Sequence, residues 1–107
     1  MKAGELKDRL IIQTKVKIPD DGGGYEEDWI DGEKVWSKVT PLSGVSLYRA
    51  KQMNAEITHE VKLRYRELSK EENRFKYKSD RILEIESMIN VDELNEELLV
   101  TCKEVIT

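Results

Sequence analysis

Alternation of apolar and polar residues with a period of two runs through most of this chain, and it constrains the fold more than any other feature. The clearest case spans residues 57–66, where the side chains of one parity are Ile57, His59, Val61, Leu63 and Tyr65. The residues between them are polar or charged. Successive side chains of a strand point to opposite faces, so this pattern predicts a β-strand with one face in a core.

Further strands are predicted on both sides of this one. In the first, Leu10, Ile12, Thr14, Val16 and Ile18 would share one face. The others are predicted at residues 25–30, 33–40, 74–78, 82–89 and 97–105. A turn at Asp31–Gly32 would separate the second strand from the third. Six or seven short strands joined by short turns predict an antiparallel sandwich or a small barrel, in one domain covering residues 1–107.

Residues 43–54 depart from the strand pattern and favour a short helix, with Ser43 or Ser46 available as its N-cap. At about 100° per residue, the apolar side chains of this helix spread around its axis instead of forming one stripe. Such a helix is poorly anchored by its own domain. Two interpretations stay open: a plug over one open end of a barrel, or a segment that binds a partner.

Composition narrows the class of protein further. The chain has 107 residues, of which 38% are hydrophobic and 37% charged. It contains no apolar run long enough for a membrane span and no stretch typical of a secretory leader, so we expect no membrane partner. The single cysteine, Cys102, excludes an intramolecular disulfide and favours a reducing, cytoplasmic origin.

The net charge of -4 hides blocks of opposite sign. Residues 20–33 contain seven acidic residues and no basic one, and residues 82–107 contain seven acidic residues and one basic. Residues 34–81 contain twelve basic residues and six acidic. Either solvated faces cluster by sign, or an acidic and a basic surface lie apart on one small body. A subunit of the second kind can join its copies head to tail.

The sequence shows no pattern typical of an enzyme. His59, the only histidine, has the parity of the apolar face, so we interpret it as structural. Cys102 has no CxxC partner, and Gly22–Gly24 lack the lysine and the helix of a phosphate loop. The carboxylates form no metal-ligand pattern. We therefore expect no catalytic residue, no metal and no cofactor.

Single-stranded nucleic-acid binding by a barrel of the OB type is the alternative function. Two strands predicted to be adjacent would form a basic stripe from Lys62, Arg64, Arg66, Arg74, Lys76 and Lys78. The aromatic residues that could stack on bases, Tyr65, Phe75 and Tyr77, have the opposite parity and are predicted to lie in the core. Phosphate attraction without stacking is weak for a net acidic chain.

Several stretches, in order, are similar to one known family. They are Gly4-Glu5-Leu6-Lys7-Asp8-Arg9-Leu10-Ile11-Ile12-Gln13, Trp36-Ser37-Lys38-Val39-Thr40-Pro41-Leu42-Ser43-Gly44, Thr58-His59-Glu60-Val61-Lys62-Leu63-Arg64-Tyr65, Arg74-Phe75-Lys76-Tyr77 and Ile82-Leu83-Glu84-Ile85-Glu86-Ser87. The chain resembles the phage head–tail joining proteins, the small head-completion or stopper subunits of tailed phages and prophages. Ser79–Asp80 departs from this pattern, because a turn containing glycine is expected there.

The resemblance implies a small antiparallel β-barrel with one short helix between its third and fourth strands. It implies a homo-oligomeric ring below the portal and adaptor proteins, made in the host cytoplasm and located at the head–tail junction of the virion. This ring would close the DNA channel after packaging and bind a tail or tail-completion protein. Double-stranded DNA would pass through it without sequence-specific binding.

The resemblance also implies two contact segments. The channel-gating and partner-binding segment would consist of Leu42, Ser43, Gly44, Val45, Ser46, Leu47, Tyr48, Arg49, Ala50, Lys51 and Gln52. The hairpin tip at Asp20, Asp21, Gly22, Gly23 and Gly24 is a second candidate contact, with neighbouring rings.

Overall fold

Six antiparallel strands close into a β-barrel in the computed structural model, which describes residues 5–53 and 56–105. The elements are β1 (Asp8–Pro19), β2 (Tyr25–Pro41), α1 (Gly44–Met53), β3 (His59–Arg64), β4 (Asn73–Tyr77), β5 (Arg81–Asn90), a short 3₁₀ turn (Val91–Glu93) and β6 (Glu97–Val105). Around the barrel the strands follow the order β1-β2-β3-β6-β5-β4, and β4 pairs with β1. The predicted antiparallel barrel with one short helix is confirmed.

The core fills the barrel with one side-chain parity from every strand. Its members are Leu10, Ile12, Val35, Val61, Leu63, Phe75, Tyr77, Leu83, Ile85, Leu98, Val100 and Cys102. The alternation predicted for residues 57–66 holds up to Leu63, and β3 then ends at Arg64. Tyr65 follows the strand and is 37% exposed, so its predicted place in the core is wrong.

The predicted turn at Asp31–Gly32 is wrong, because β2 continues straight through it. Two residues of β2, Gly32 and Glu33, lie opposite Ile12 at a bulge in the β1–β2 pairing. A Cβ atom on Gly32 would lie 2.8 Å from the carbonyl oxygen of Ile12. The glycine therefore permits a close approach of two backbones instead of making a turn. The second and third predicted strands are one strand, so α1 lies between β2 and β3.

The β1–β2 hairpin is longer than the barrel. The pairing of β1 with β4 stops at Thr14, whereas its pairing with β2 continues to Pro19 and Tyr25. Residues 15–30 therefore form a two-stranded projection, called the ribbon below. It makes the molecule elongated, with principal extents of 49 × 29 × 27 Å.

The ribbon and α1 leave the barrel at opposite ends. The ribbon end also holds the C-terminus of β3 and the 3₁₀ turn, because Arg64 pairs with Glu97 at the start of β6. At the other end, the crossover end, Pro41 of β2 pairs with His59 of β3, on either side of the segment that contains α1.

The short connection between β4 and β5 is made without glycine. Lys78 and Ser79 both have positive φ angles, 50° and 72°, and the Asp80 amide donates to the Lys78 carbonyl over 2.8 Å. Two residues with a Cβ atom thus occupy the left-handed region, which favours glycine. These positive φ angles are the physical reason why a glycine was expected in this turn.

Candidate assembly surfaces

The segment between β2 and β3, residues 42–58, is held at its neck. The Leu42 amide donates to the Thr58 carbonyl over 3.0 Å, directly beside the Pro41–His59 pair. Thr58 is in turn fixed to β6, since its amide donates to the Cys102 carbonyl over 2.9 Å. The Thr58 hydroxyl accepts from the Glu104 amide over 2.8 Å. The segment therefore leaves and re-enters the barrel at one rigid place.

Beyond this neck, α1 makes no extensive contact with any strand in the described part of the chain. Val45 and Tyr48 are 66% and 67% exposed, and Leu42 and Leu47 are half-buried. The Ser43 carbonyl accepts from the Leu47 amide over 3.3 Å at the start of the helix.

The predicted gating segment thus lies together in one projecting element. Residues 44–52 belong to α1, and Leu42 and Ser43 join it to β2. Gly44 has a φ angle of +55°, which makes glycine the suitable residue where the helix begins. The predicted helix extended to Asn54, which lies outside the described residues.

His59 lies buried at the root of this neck, with Thr58 beside one ring nitrogen and both Glu104 and Arg81 beside the other. Its Nδ1 is 2.8 Å from the Thr58 hydroxyl, and its Nε2 is 3.8 Å from a carboxylate oxygen of Glu104. Arg81 donates to both carboxylate oxygens of Glu104 over 2.8 Å each. This bidentate pair ties β5 to β6 beside the neck. The contacts agree with the structural role predicted for His59.

The ionisation of this cluster follows from burial and hydrogen bonding. Burial lowers the pKa of His59 by disfavouring the imidazolium, and the nearby Glu104 carboxylate offsets this only partly. The hydrogen bond from Arg81 lowers the pKa of Glu104 and raises that of Arg81 itself. The cluster is therefore a neutral imidazole beside an ion pair near neutral pH.

The side chain of Asp20 stabilises the turn at the tip of the ribbon. Asp20 accepts hydrogen bonds from the amides of Gly22 and Gly24 over 2.8 and 2.9 Å, and its amide donates to the Gly24 carbonyl over 2.9 Å. Gly23 has a φ angle of +84°. The predicted contact at Asp20–Gly24 is thus a built turn, with Asp21 exposed at its outer side.

Parts of both acidic blocks of the sequence lie at the ribbon end. One of them forms the ribbon, and the other contributes the 3₁₀ turn with Asp92 and Glu93, followed by Glu96. Arg49 and Lys51 on α1, with Lys78 after β4, lie at the crossover end. Other basic residues are spread along the barrel wall. The ribbon end therefore carries a concentration of acidic residues.

The predicted basic stripe across two adjacent strands is wrong. β3, which carries Lys62 and Arg64, pairs with β2 and β6, whereas β4, which carries Arg74 and Lys76, pairs with β1 and β5. The barrel closes between β1 and β4, and this long-range pairing has no local signal in the sequence. It places Lys76 of β4 beside β1 instead.

Trp36 is an exposed aromatic residue that was not among the candidates for base stacking in the sequence. It is 52% exposed, and the Arg9 guanidinium lies 4.3 Å from the centre of its ring. With Arg64 and Tyr65 it lines an open cleft of about 300 Å³ between β2 and the end of β3. Phe75 and Tyr77 are buried, as predicted.

Cys102 is a core residue, fully buried on β6. Burial raises the pKa of its thiol to about 12. Within the described ranges, no group of three or more His, Cys, Asp or Glu side chains could hold a metal ion. None of the described helical residues forms a helix long and apolar enough to cross a membrane.

A closed barrel with a projecting helix at one end and a projecting ribbon at the other offers surfaces for partners, as is typical of a subunit of a larger assembly. The sequence matches the family model of the phage head completion protein over residues 1–105. The chain therefore belongs to the phage head completion protein family, a family of structural components of the virion. The resemblance found in the sequence motifs is confirmed.

Solved structures support the same fold. The solution structure of protein SF1141 from Shigella flexneri 2a is 27% identical, with a TM-score of 0.74, and the match covers 97% of this chain and 96% of that one. A chain of the virion of the native gene transfer agent particle is 21% identical, with a TM-score of 0.63. That match covers 95% of this chain and 97% of the other. A search of curated proteins finds no significant match.

Proposed function

We propose that this protein is a structural, non-enzymatic subunit of the head–tail connector. In this proposal its copies form a ring below the portal and adaptor proteins, close the DNA channel after packaging, and provide the surface on which the tail or a tail-completion protein docks. Membership of the head completion family supports the general role. The single observation that supports the finer role is the segment at residues 42–52, which is held at its neck and exposes Val45 and Tyr48 beyond it.

This segment suits a gate because it would lose few contacts with its own barrel by moving. Val45 and Tyr48 give up little packing in their own barrel when they turn to a neighbour, because both are two-thirds exposed. The hydrogen bond between Leu42 and Thr58 lies outside α1, so a movement of the helix does not require it to break. Repacking such a segment on assembly therefore costs little barrel stability and gains buried apolar area.

The charge of α1 suits a closed channel that holds DNA. The helix carries Arg49 and Lys51 and contains no acidic residue. Both side chains are exposed. When several copies of α1 converge on the channel axis, these cations would face the phosphates of the DNA end.

Deleting the gene tests the general proposal. We expect heads that package full-length DNA, then leak it, and fail to join tails. Electron microscopy and a nuclease-protection assay of the packaged DNA would measure this. Heads that retain DNA and join tails normally would contradict the connector role.

A matched pair of substitutions tests the gate. Tyr48 of α1 and Tyr25 of the ribbon are 67% and 68% exposed, so neither supports the core. We expect Tyr48→Ala to reduce DNA retention in assembled heads and Tyr25→Ala to leave retention unchanged. Replacing residues 45–52 with a glycine-serine linker should give complete leakage from a still-folded barrel. Equal retention in all three variants would place the gate elsewhere.

The tip at Asp20–Gly24 is proposed as a contact with a neighbouring ring. Its closed turn presents Asp21 at the far end of a projecting element, where a rigid tip can reach another layer. Asp21→Lys should weaken tail joining without affecting the DNA already in the head. Normal tail joining by this variant would contradict the contact.

Single-stranded nucleic-acid binding is kept as a second candidate because of Trp36. Its exposed ring lies beside Arg9 and shares a cleft with Arg64, which provides the stacking surface that Phe75 and Tyr77 do not. The barrel has six strands, whereas the OB-fold has five. A titration of the wild-type chain and of Trp36→Ala with single-stranded DNA at low salt tests this candidate. Tight, salt-sensitive binding that is lost in the variant would support it, and no binding by the wild-type chain would exclude it.

A further inference from the structure

A basic groove lies on the outer wall of the barrel where β2, β1 and β4 run side by side. It has a volume of about 450 Å³ and is lined by Arg9, Ile11, Lys34, Lys76, Lys78 and Ser79. Ile11 pairs with Lys34 on one side and with Lys76 on the other, so an apolar floor lies between two lysines. This arrangement suits an occupant that is partly apolar and negatively charged.

Little of the positive charge of the groove is neutralised within the molecule. Lys76 lies 3.4 Å from Asp31, and the Arg9 guanidinium stacks on the ring of Trp36. Lys34 has no salt-bridge or hydrogen-bond partner among residues 5–53 and 56–105. An acidic side chain from outside would therefore find at least one free lysine.

One face of the ribbon has the complementary character. Residues that pair directly across two antiparallel strands point to the same face, and Val16 pairs with Asp28 while Ile18 pairs with Glu26. Ile30, two residues after Asp28 on the same strand, lies on this face too. Ile18 and Ile30 are 44% and 53% exposed. The face thus carries three aliphatic side chains and two carboxylates, and no basic residue.

The other face of the ribbon differs. Lys15 and Lys17 point there, with Glu27 and Trp29 opposite them. Lys15 makes an ion pair with Glu27 over 3.4 Å, and the Arg74 guanidinium lies 4.3 Å from the centre of the Trp29 ring. This face is internally satisfied and mixed in charge, so it is a poor match to the groove.

The acidic face cannot reach the groove of its own molecule. Ile11 and Val16 lie on the same strand with opposite parity, so they point to opposite sides of the hairpin. They are also about 17 Å apart along that strand at the usual rise per residue. The complementary surface must therefore come from another molecule.

We infer that the acidic face of the ribbon docks into the basic groove of a second copy of this chain. Val16 and Ile18 would pack on Ile11, and Glu26 and Asp28 would pair with Lys34 and the groove's other cations. Donor and acceptor surfaces lie on opposite sides of one hairpin, so each copy can give one contact and receive another. Such a heterologous contact closes into a ring when the rotation between copies matches. This inference rests on the proposed ring and names its subunit contact.

Cysteine cross-linking in assembled particles tests the contact. A chain carrying Ile18→Cys and Lys34→Cys should form disulfide-linked multimers between neighbouring copies under mild oxidation. The control carries Lys17→Cys and Lys34→Cys, because Lys17 is the adjacent residue on the opposite face of the ribbon. The native Cys102 thiol stays silent in both, since it is fully buried. A multimer ladder in the first variant only is the expected result; no ladder, or equal ladders, would overturn the inference.

A charge exchange provides a second, independent readout. Glu26→Lys and Lys34→Glu should each lower incorporation into particles more than about tenfold, because each places like charges opposite one another. Combining them should restore incorporation, which a merely misfolded variant would not do. Failure of the double variant to recover would contradict the contact.

The outcomes separate this inference from the proposed function. A wild-type chain that is absent from the head–tail junction would overturn both. A chain present at the junction, without the ladder and with full incorporation of Lys34→Glu, would overturn the contact and leave the connector role standing. Loss of DNA retention in Lys34→Glu at full incorporation would show that the groove faces DNA instead of a second copy.

Discussion

The barrel and the two projections use the same kinds of residue for different purposes. In the barrel, alternating side chains such as Val61 and Phe75 are fully buried, because six strands surround them. In the ribbon, Val16 and Ile18 continue the alternation of β1, yet no third strand covers them. An isolated two-stranded ribbon is only marginally stable in water. The same alternation therefore builds a core inside the barrel and leaves an apolar face open to a partner in the ribbon.

The helix and the ribbon also differ from each other. In the described part of the chain, a hydrogen bond between Leu42 and Thr58 closes the neck below α1, and the helix itself makes no extensive contact with any strand. The ribbon is a direct continuation of β1 and β2, and its base is braced by the Gln13 side chain, which donates to Asp31 over 2.7 Å and accepts from Arg74 over 2.7 Å. The first construction suits a segment that moves, and the second suits a fixed arm.

The largest expected difference is between the barrel core and α1. Phe75→Ala should lower the free energy of unfolding by about 3–5 kcal/mol, since it removes a fully buried ring from the middle of the core. Tyr48→Ala should change it by less than about 0.5 kcal/mol, because that side chain is exposed. Urea denaturation of the isolated chain measures both. A large loss in Tyr48→Ala would show that α1 is part of the core.

The next largest effect concerns the junction of barrel and ribbon. Gly32→Ala places a Cβ atom 2.8 Å from the Ile12 carbonyl oxygen, so the two backbones must separate. We expect a loss of about 1–3 kcal/mol in the free energy of unfolding, as for other overpacked sites. The matched control is Gly22→Ala, whose Cβ would be 3.5 Å from Asp20 and needs no movement. Equal stability of the two variants would contradict the bulge.

A smaller effect is expected from pH at the neck. The pKa of His59 is lower in the folded chain than its ordinary value of 6.5, so below that pH the unfolded chain binds more protons. Stability should therefore fall as the pH decreases through 6.5, by no more than about 1.4 kcal/mol per pH unit. His59→Gln should remove this dependence between pH 5 and 7. A decline that persists in the variant would assign it to other groups.

The smallest effect is expected at the turn between β4 and β5. Ser79 has a φ angle of 72°, where a side chain is strained and glycine is not. Ser79→Gly should raise the free energy of unfolding by up to about 1 kcal/mol, the relief of strain being offset in part by the entropy of glycine. Thermal unfolding would measure the gain. A clear loss of stability would mean that the serine side chain has a role here.

Local patterns predicted the regular parts of the barrel well. The bounds of β6 were predicted correctly at 97–105, and the buried parity was correct from Ile57, just before β3, to Leu63 within it. These elements alternate strictly and lie between clear breaks, so local sequence suffices. Membership of the head completion family was also recognisable from ordered short motifs.

The misread features depend on distant partners. Asp31–Gly32 has the composition of a turn, and only the passage of Ile12 beside it shows that the glycine serves a bulge. The groove around Ile11 exists because β4 closes the barrel onto β1, a pairing across some sixty residues of chain. The alternation within a single strand does not show which distant strand will pair with it. The ribbon face with Val16 and Ile18 has the sequence pattern of a core face for the same reason, since only the end of the β1–β4 pairing at Thr14 leaves it without a third strand.

Hydrogen exchange of the backbone amides tests the central claim most directly, because it compares the barrel and α1 in one molecule. In the isolated chain, amides of α1 should exchange much faster than those of β3 and β5, and in assembled particles the α1 amides should become protected while the barrel amides do not change. Protection of α1 equal to that of the barrel in the isolated chain, or no gain of protection on assembly, would contradict a crossover that is left free for its neighbours.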